Sequence, residues 1–126
     1  MAMMLCDSAE TDQAGKLNIR GAGWSVVSSP TLPSAVAMKI EVPWSLRGKP
    51  MHLDLELVDA DGRKVGSATA EHDGVTSSLA QPGVPLDSTL VVPVPALNLR
   101  PGRYVWQLRI NEEDPEGGHL GFTVRQ

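Results

Sequence analysis

The sequence is short of cysteine and of long apolar runs, and each shortage excludes a class of protein. A single cysteine, Cys6, cannot form an internal disulfide, so the chain is not a disulfide-stapled secreted scaffold. No apolar run approaches the roughly 20 residues of a membrane span, and the opening MAMMLCDSAETD lacks the basic start of a signal peptide. We therefore expect no membrane partner, and a location in the cytoplasm or on a particle assembled there.

Positive charge is also scarce. The 11 Lys and Arg residues are scattered singly apart from Arg63-Lys64, and the formal net charge is -4. Nucleic-acid binding depends on a concentrated positive field, so we expect no nucleic-acid partner.

What is present is the composition of one ordinary globular domain. The chain has 126 residues, of which 41% are hydrophobic and 21% charged. This length is enough to bury a core without disulfides or metal. We expect a single domain over residues 1–126.

Alternation with a period of two is the dominant pattern. Met51, Leu53, Leu55 and Leu57 share one face of a strand, while the residues between them share the other, as a half-buried strand requires. Tight hairpin turns are predicted at Ala60-Asp61-Gly62 and, in the same way, at Gly21-Ala22-Gly23. The predicted strands are Met1–Cys6, Leu17–Arg20, Trp24–Val27, Val36–Val42, Met51–Val58, Arg63–Glu71, Thr89–Val94, Tyr104–Ile110 and His119–Arg125.

Two further features refine the strand prediction. Val-Pro-Val-Pro at 92 to 95 indicates an edge strand or a strand exit, because proline cannot donate to a central ladder. Cys6 is interpreted as a small buried apolar residue of the first strand.

Leu99-x-Pro101-Gly102-x-Tyr104 resembles the tyrosine corner of immunoglobulin-like and fibronectin-like domains, in which a phenol bonds a backbone group upstream. With the alternation, it predicts an all-β fold, an immunoglobulin-like Greek-key β-sandwich of about seven to nine antiparallel strands. We expect an acceptor for the Tyr104 hydroxyl within Ala96–Arg100. An ordinary turn with a core tyrosine is the alternative, and a closed barrel would show the same alternation.

No motif nominates catalysis, a metal or a cofactor, so we expect a protein that is not an enzyme. His52, His72 and His119 lie on predicted solvent faces or turns without zinc-like spacing. Asp59-Ala60-Asp61-Gly62 lacks the later ligands of a calcium loop and is interpreted as a hairpin turn. The acidic loop at 112–116 could hold a cation or meet a basic partner, but such runs are more often solvated turns.

Two sets of residues are candidates for recognition. Gly74–Ser88 has no clear strand pattern and is long for a connection between strands, which is typical of functional or disordered loops. Its apolar residues form the candidate interface: Val75, Leu79, Val84 and Leu86. Trp24 and Trp44 could form a platform that stacks on sugars, although each follows a turn or ends a strand and capping of the core is the simpler interpretation.

Several segments together resemble a family of short uncharacterised actinobacterial proteins. They are Leu5-Cys6-Asp7, Gly-Ala-Gly-Trp at 21 to 24, Val-Pro-Trp at 42 to 44, LELVDADG at 55 to 62 and Pro-Gly-Arg-Tyr-Val-Trp at 101 to 106. The resemblance implies a stand-alone β-sandwich domain and no assigned activity. We expect a structural or protein-interaction module, in an oligomer or as an accessory protein on a larger particle such as a phage virion. A module that binds a carbohydrate or a cation is the alternative.

Overall fold

The computed structural model describes residues 1–42, 45, 48–72 and 86–125. This part of the chain is all-β: it contains ten strands and no α-helix. The strands are β1 (Ala2–Cys6), β2 (Ser8–Thr11), β3 (Leu17–Arg20), β4 (Val26–Ser28), β5 (Ser34–Val42), β6 (Met51–Asp59), β7 (Lys64–His72), β8 (Leu86–Val94), β9 (Gly102–Ile110) and β10 (His119–Arg125).

The strands form three sheets among the described residues. One has five strands in the order β4-β10-β9-β6-β7, one has three in the order β1-β5-β8, and β2 pairs with β3. Every pair is antiparallel except β4 with β10, which is parallel. The prediction of about seven to nine strands, all antiparallel, is therefore wrong in two respects. The described residues form ten strands, and β4 pairs with β10 in parallel. A tight turn forces antiparallel pairing, and no turn joins β4 to β10, which lie at opposite ends of the chain.

Alternate residues of the two larger sheets point into one hydrophobic core, as the alternation predicts. On β6, Leu53, Leu55 and Leu57 are buried, and Leu108 and Trp106 lie opposite Leu55 and Leu57 on β9. Burial of each such side chain stabilises the fold by about 1.5–3 kcal/mol. The same cluster includes buried residues of the three-stranded sheet: Leu5, Val36, Met38, Ile40, Val42, Leu90, Val92 and Val94.

The β2–β3 hairpin covers the other face of the three-stranded sheet. Cys6, Ala35 and Ala37 are at most 5% exposed, and Ala9 and Leu17 of the hairpin pack on them. Small side chains at the three sheet positions let the hairpin approach closely. The interpretation of Cys6 as a small buried residue of the first strand is confirmed.

The predicted hairpin through Gly21-Ala22-Gly23 is wrong. β3 pairs with β2 in one sheet, whereas β4 lies in the five-stranded sheet, so the glycine segment carries the chain from one sheet to another. The strand before β3 was missing from the prediction because Ser8–Thr11, SAET, holds one apolar residue and shows no alternation.

The predicted turn between β6 and β7 is confirmed. Asp59 Oδ1 accepts hydrogen bonds from the backbone N–H groups of Asp61 and Arg63, both at 2.9 Å. Gly62 takes the positive φ, 81°, that the turn requires.

The same turn, not predicted from the sequence, closes the β2–β3 hairpin. Asp12 Oδ1 accepts hydrogen bonds from the N–H groups of Ala14 and Lys16, both at 2.9 Å, and Gly15 has φ 79°. Both hairpins therefore have aspartate at the first turn position and glycine three residues later.

β8 is longer than predicted and shortens the connection before it. It begins at Leu86, which pairs with Val42 at the end of β5, so the last three residues of Gly74–Ser88 belong to a strand. Cross-strand pairing along the whole of β5 extends β8 beyond what its own sequence indicates. Pro93 lies in this strand at the edge of the three-stranded sheet, so the predicted edge strand is confirmed.

The crossing into β9 has the hydrogen bond that its sequence predicts. Tyr104 Oη donates to the Arg100 carbonyl oxygen at 2.7 Å. The Tyr104 ring is 6% exposed and stacks on Phe122, with centroids 5.7 Å apart, while Leu99 is buried before the turn. Pro101 and Gly102 lie between these two anchors and are exposed.

Candidate functional site

The outer strands of the two larger sheets are the first candidates for recognition, because an edge strand presents N–H and C=O groups that another strand can pair with. Among the described strands, β4 and β7 border the five-stranded sheet and β1 and β8 border the three-stranded sheet. Three of these edges carry features that discourage pairing. β8 contains Pro93, the Leu5 carbonyl of β1 accepts a bond from the Gly23 N–H at 2.9 Å, and β7 carries charges such as Lys64 and Glu71.

β4 consists of two valines and a serine and, unlike β7 and β8, carries no charge. The Thr123 N–H of β10 donates to the Ser25 carbonyl at 2.8 Å, so Ser25 and Val27 direct their backbone groups at β10. Successive residues of a strand alternate in direction, so the N–H and C=O of Val26 point away from β10. The Val26 side chain is 53% exposed.

An apolar groove of about 360 Å³ runs along β4, and we call it the β4 groove. Leu32, at 79% exposed, stands at this groove between two prolines and is the most exposed of the large hydrophobic side chains described. Its lining residues are Asp7, Trp24, Val26, Val27, Ser28, Pro30, Thr31, Leu32, Pro33 and Ser34.

The loop that presents Leu32 is fastened to the connection between β8 and β9. The Thr31 N–H donates to the Leu97 carbonyl at 2.8 Å, and the Thr31 hydroxyl accepts from the Leu97 N–H at 2.8 Å. Thr31 is 8% exposed although its neighbour Leu32 is almost fully exposed. Leu32 therefore lies in a tethered loop, which loses less conformational entropy when a partner binds it.

Trp24, one of the two predicted platform residues, lies between the core and the β4 groove. Its ring packs edge-on against Phe122, with centroids 6.1 Å apart, and is partly buried. The indole Nε1 is buried and has no hydrogen-bond partner among the described residues. Orphaned donors are rare in folded proteins and cost about 1–3 kcal/mol, so this one marks the neighbourhood of the groove as unusual.

The remaining predicted recognition residues fall mostly outside the described residues. Val75, Leu79, Val84 and Trp44 all do, as does the side chain of Leu86. The backbone of Leu86 forms the start of β8. The candidate interface on the Gly74–Ser88 segment therefore stays a prediction.

Apart from Trp24, the residues that line the β4 groove were not predicted from the sequence. Val26, Pro30 and Leu32 are not part of a long alternating run, and Asp7 lies far from them in sequence. The available signal was Leu32 itself, an isolated large apolar residue between prolines in a loop.

The acidic loop between β9 and β10 begins as a tight turn. Asn111 and Glu112 have φ values of 51° and 68°, and the Ile110 and Glu113 backbones bond to each other at 2.9 and 3.0 Å. Positive φ at two successive central residues is the mark of a type I′ hairpin turn. The Arg109 Nε donates to Asp114 Oδ1 at 3.3 Å, so one carboxylate of the loop is already paired with an arginine of β9.

His52 lies between two carboxylates on the outer face of the five-stranded sheet. Its Nε2 is 3.0 Å from Asp54 Oδ1 and its Nδ1 is 3.4 Å from Glu71 Oε1. The His52 side chain is 45% exposed, so water screens these contacts. Within the described ranges, no group of three or more His, Cys, Asp or Glu side chains is arranged to hold a metal ion.

The same part of the chain holds no helix long and apolar enough to cross a membrane. No curated protein and no solved structure is significantly similar to the chain. One family model matches residues 1–123, nearly the whole length. The chain therefore belongs to a family of unknown function, DUF6941.

Proposed function

We propose that the protein is an immunoglobulin-like Greek-key β-sandwich that serves as a non-catalytic protein-interaction module. The order of the strands supports the fold. Tyr104 is the third residue of β9, which lies between β10 and β6, while β1, β5 and β8 form the opposing sheet. In immunoglobulin-like domains the strand that carries the corner tyrosine near its start is likewise central in its sheet. The hydrogen bond from Tyr104 to Arg100 is the bond that such a corner uses.

The observation that carries the functional proposal is the apolar edge at β4. Exposed strand edges with apolar side chains favour strand addition and are usually covered or charged when they serve no purpose. Here Val26 and Leu32 stay exposed beside the open edge. The interaction takes place in an oligomer or on a larger particle such as a phage virion, where immunoglobulin-like domains serve as accessory proteins, an analogy that rests on fold alone.

Light scattering after size exclusion tests the proposal against the rival ligand-binding module. The chain has a mass of 13.5 kDa, so self-assembly would give a multiple of this value that grows with protein concentration. A monomer at all concentrations whose melting temperature rises with sugars or calcium would instead favour the carbohydrate- or cation-binding module.

The neighbouring genes test whether the protein acts on a larger particle. Genes for virion or injection-system components beside this one would support an accessory role, and an isolated operon of metabolic genes would count against it.

A further inference from the structure

We propose that the β4 groove is the docking site for an extended segment of a partner protein in which a basic residue stands beside apolar ones. This rests on the proposed interaction function and adds the place and the chemistry of the partner. Three observations carry it: an open strand edge, an apolar wall and a single negative charge.

The open edge determines the conformation of the partner segment. The N–H and C=O of Val26 point away from β10 and have no ladder partner among the described strands. A partner in extended conformation can pair with both groups and add a sixth strand beside β4, the usual geometry of strand addition. A helix cannot make these bonds, because its backbone groups are already paired.

The apolar wall determines which side chains the segment presents. Leu32, Val26 and Pro30 line the groove, and the first two are 79% and 53% exposed. A strand that pairs with β4 directs alternate side chains to one face, so every second residue faces this wall. Those residues should be apolar, because contact with them removes Leu32 and Val26 from water.

Asp7 determines the charge of the segment. It is the one ionisable residue among those that line the β4 groove, and within the described ranges its carboxylate has no ion-pair partner. The Asp7 side chain lies against Gly21, where a Cβ would collide with Oδ2. Arg125 also reaches a groove-lining residue, since its Nε donates to Ser28 Oγ at 3.4 Å, but Asp7 is the one charged residue in the lining itself. Its carboxylate favours a lysine or arginine of the partner over an acidic residue.

Selection from a library of random peptides displayed on phage, with the full chain as bait, tests the inference. We expect enriched peptides that place Lys or Arg next to apolar residues. A synthetic copy should bind the folded protein and shift the Trp24 indole N–H signal in a ¹H–¹⁵N spectrum, assigned by its loss in Trp24→Phe. Leu32→Asp should weaken binding about tenfold or more, as loss of an apolar anchor does.

Two further variants separate the groove from other surfaces. Asp7→Lys should weaken binding of the basic peptide and improve binding of a second peptide in which Glu replaces the Lys or Arg. Val65→Asp is the matched control, because Val65 is an exposed apolar residue, 40% exposed, on β7 at the opposite edge. It should leave peptide binding unchanged.

Every other outcome overturns the inference. A selection without enrichment, or peptides that bind Leu32→Asp and Asp7→Lys as well as the parent, rules out the groove as this docking site. Loss of peptide binding in Val65→Asp would place the recognition surface on β7, and the proposed interaction function would still hold. If the protein self-associates and Leu32→Asp abolishes the self-association, the occupant of the groove is a second copy of the chain and not a partner protein.

Discussion

Tyr104→Phe removes one oxygen from the crossing into β9 and measures what its hydrogen bond contributes. The ring is 6% exposed and stacks on Phe122, so the phenylalanine keeps its packing. The lost bond is short, at 2.7 Å, and a buried hydrogen bond contributes about 0.5–1.5 kcal/mol net, with up to about 3 kcal/mol when the partner stays unsatisfied. Arg100 is exposed, so water can reach its carbonyl and we expect about 1 kcal/mol.

Urea unfolding followed by circular dichroism measures this loss. We expect a lower midpoint with an unchanged slope, because the folded and unfolded surfaces stay the same. Tyr104→Leu is the comparison: it also removes the ring stacking and should cost about 2–4 kcal/mol, closer to a core truncation. A Tyr104→Phe protein as stable as the parent would refute the argument that this bond secures the crossing.

Three other perturbations test separate parts of the structure. Thr31→Val should destabilise the fold by about 1–3 kcal/mol, because the Leu97 N–H loses its acceptor; urea unfolding measures it, and no change would mean that the loop is not tethered. Burial raises the pKa of the Cys6 thiol, with the Asp7 charge adding to it, so a thiol reagent should label Cys6 only after urea is added; rapid native labelling would contradict its 0% exposure. The hydrogen bond from the Lys16 N–H lowers the pKa of Asp12, and the bond from the Ala14 N–H lowers it further. The Asp12 carboxylate therefore stabilises the fold at pH values above its unfolded pKa, near 4, and this stabilisation is lost as the pH falls through the lower folded pKa. Asp12→Ala should therefore be less stable than the parent at neutral pH, and its urea midpoint should approach the parent's in acid; a constant difference would exclude this linkage.

Most strands could be predicted because their burial alternates along the sequence. The LDLEL run in β6 holds enough period-two signal to fix both its type and its buried face. Asp59 with Gly62 likewise predicted a turn, because the carboxylate and the positive φ are local properties.

The features of the fold that could not be predicted depend on pairing between residues far apart in the sequence. β2 is short and polar and becomes a strand by pairing with β3, and β8 gains Leu86 from its pairing with β5. The parallel neighbour of β4 is β10, whose register places Val26 opposite Thr123. The β4 groove follows from these long-range pairings, so no local pattern announces it.

Amide hydrogen exchange at β4, without and with a selected peptide, tests the central claim most directly. In the free protein Val27, which faces β10, should exchange more slowly than Val26, which faces outward. On binding, the Val26 amide should slow markedly while the amides of β7 stay as they were. A Val26 amide already protected in the free protein, or unchanged by a bound peptide, would contradict recognition through the open edge of β4.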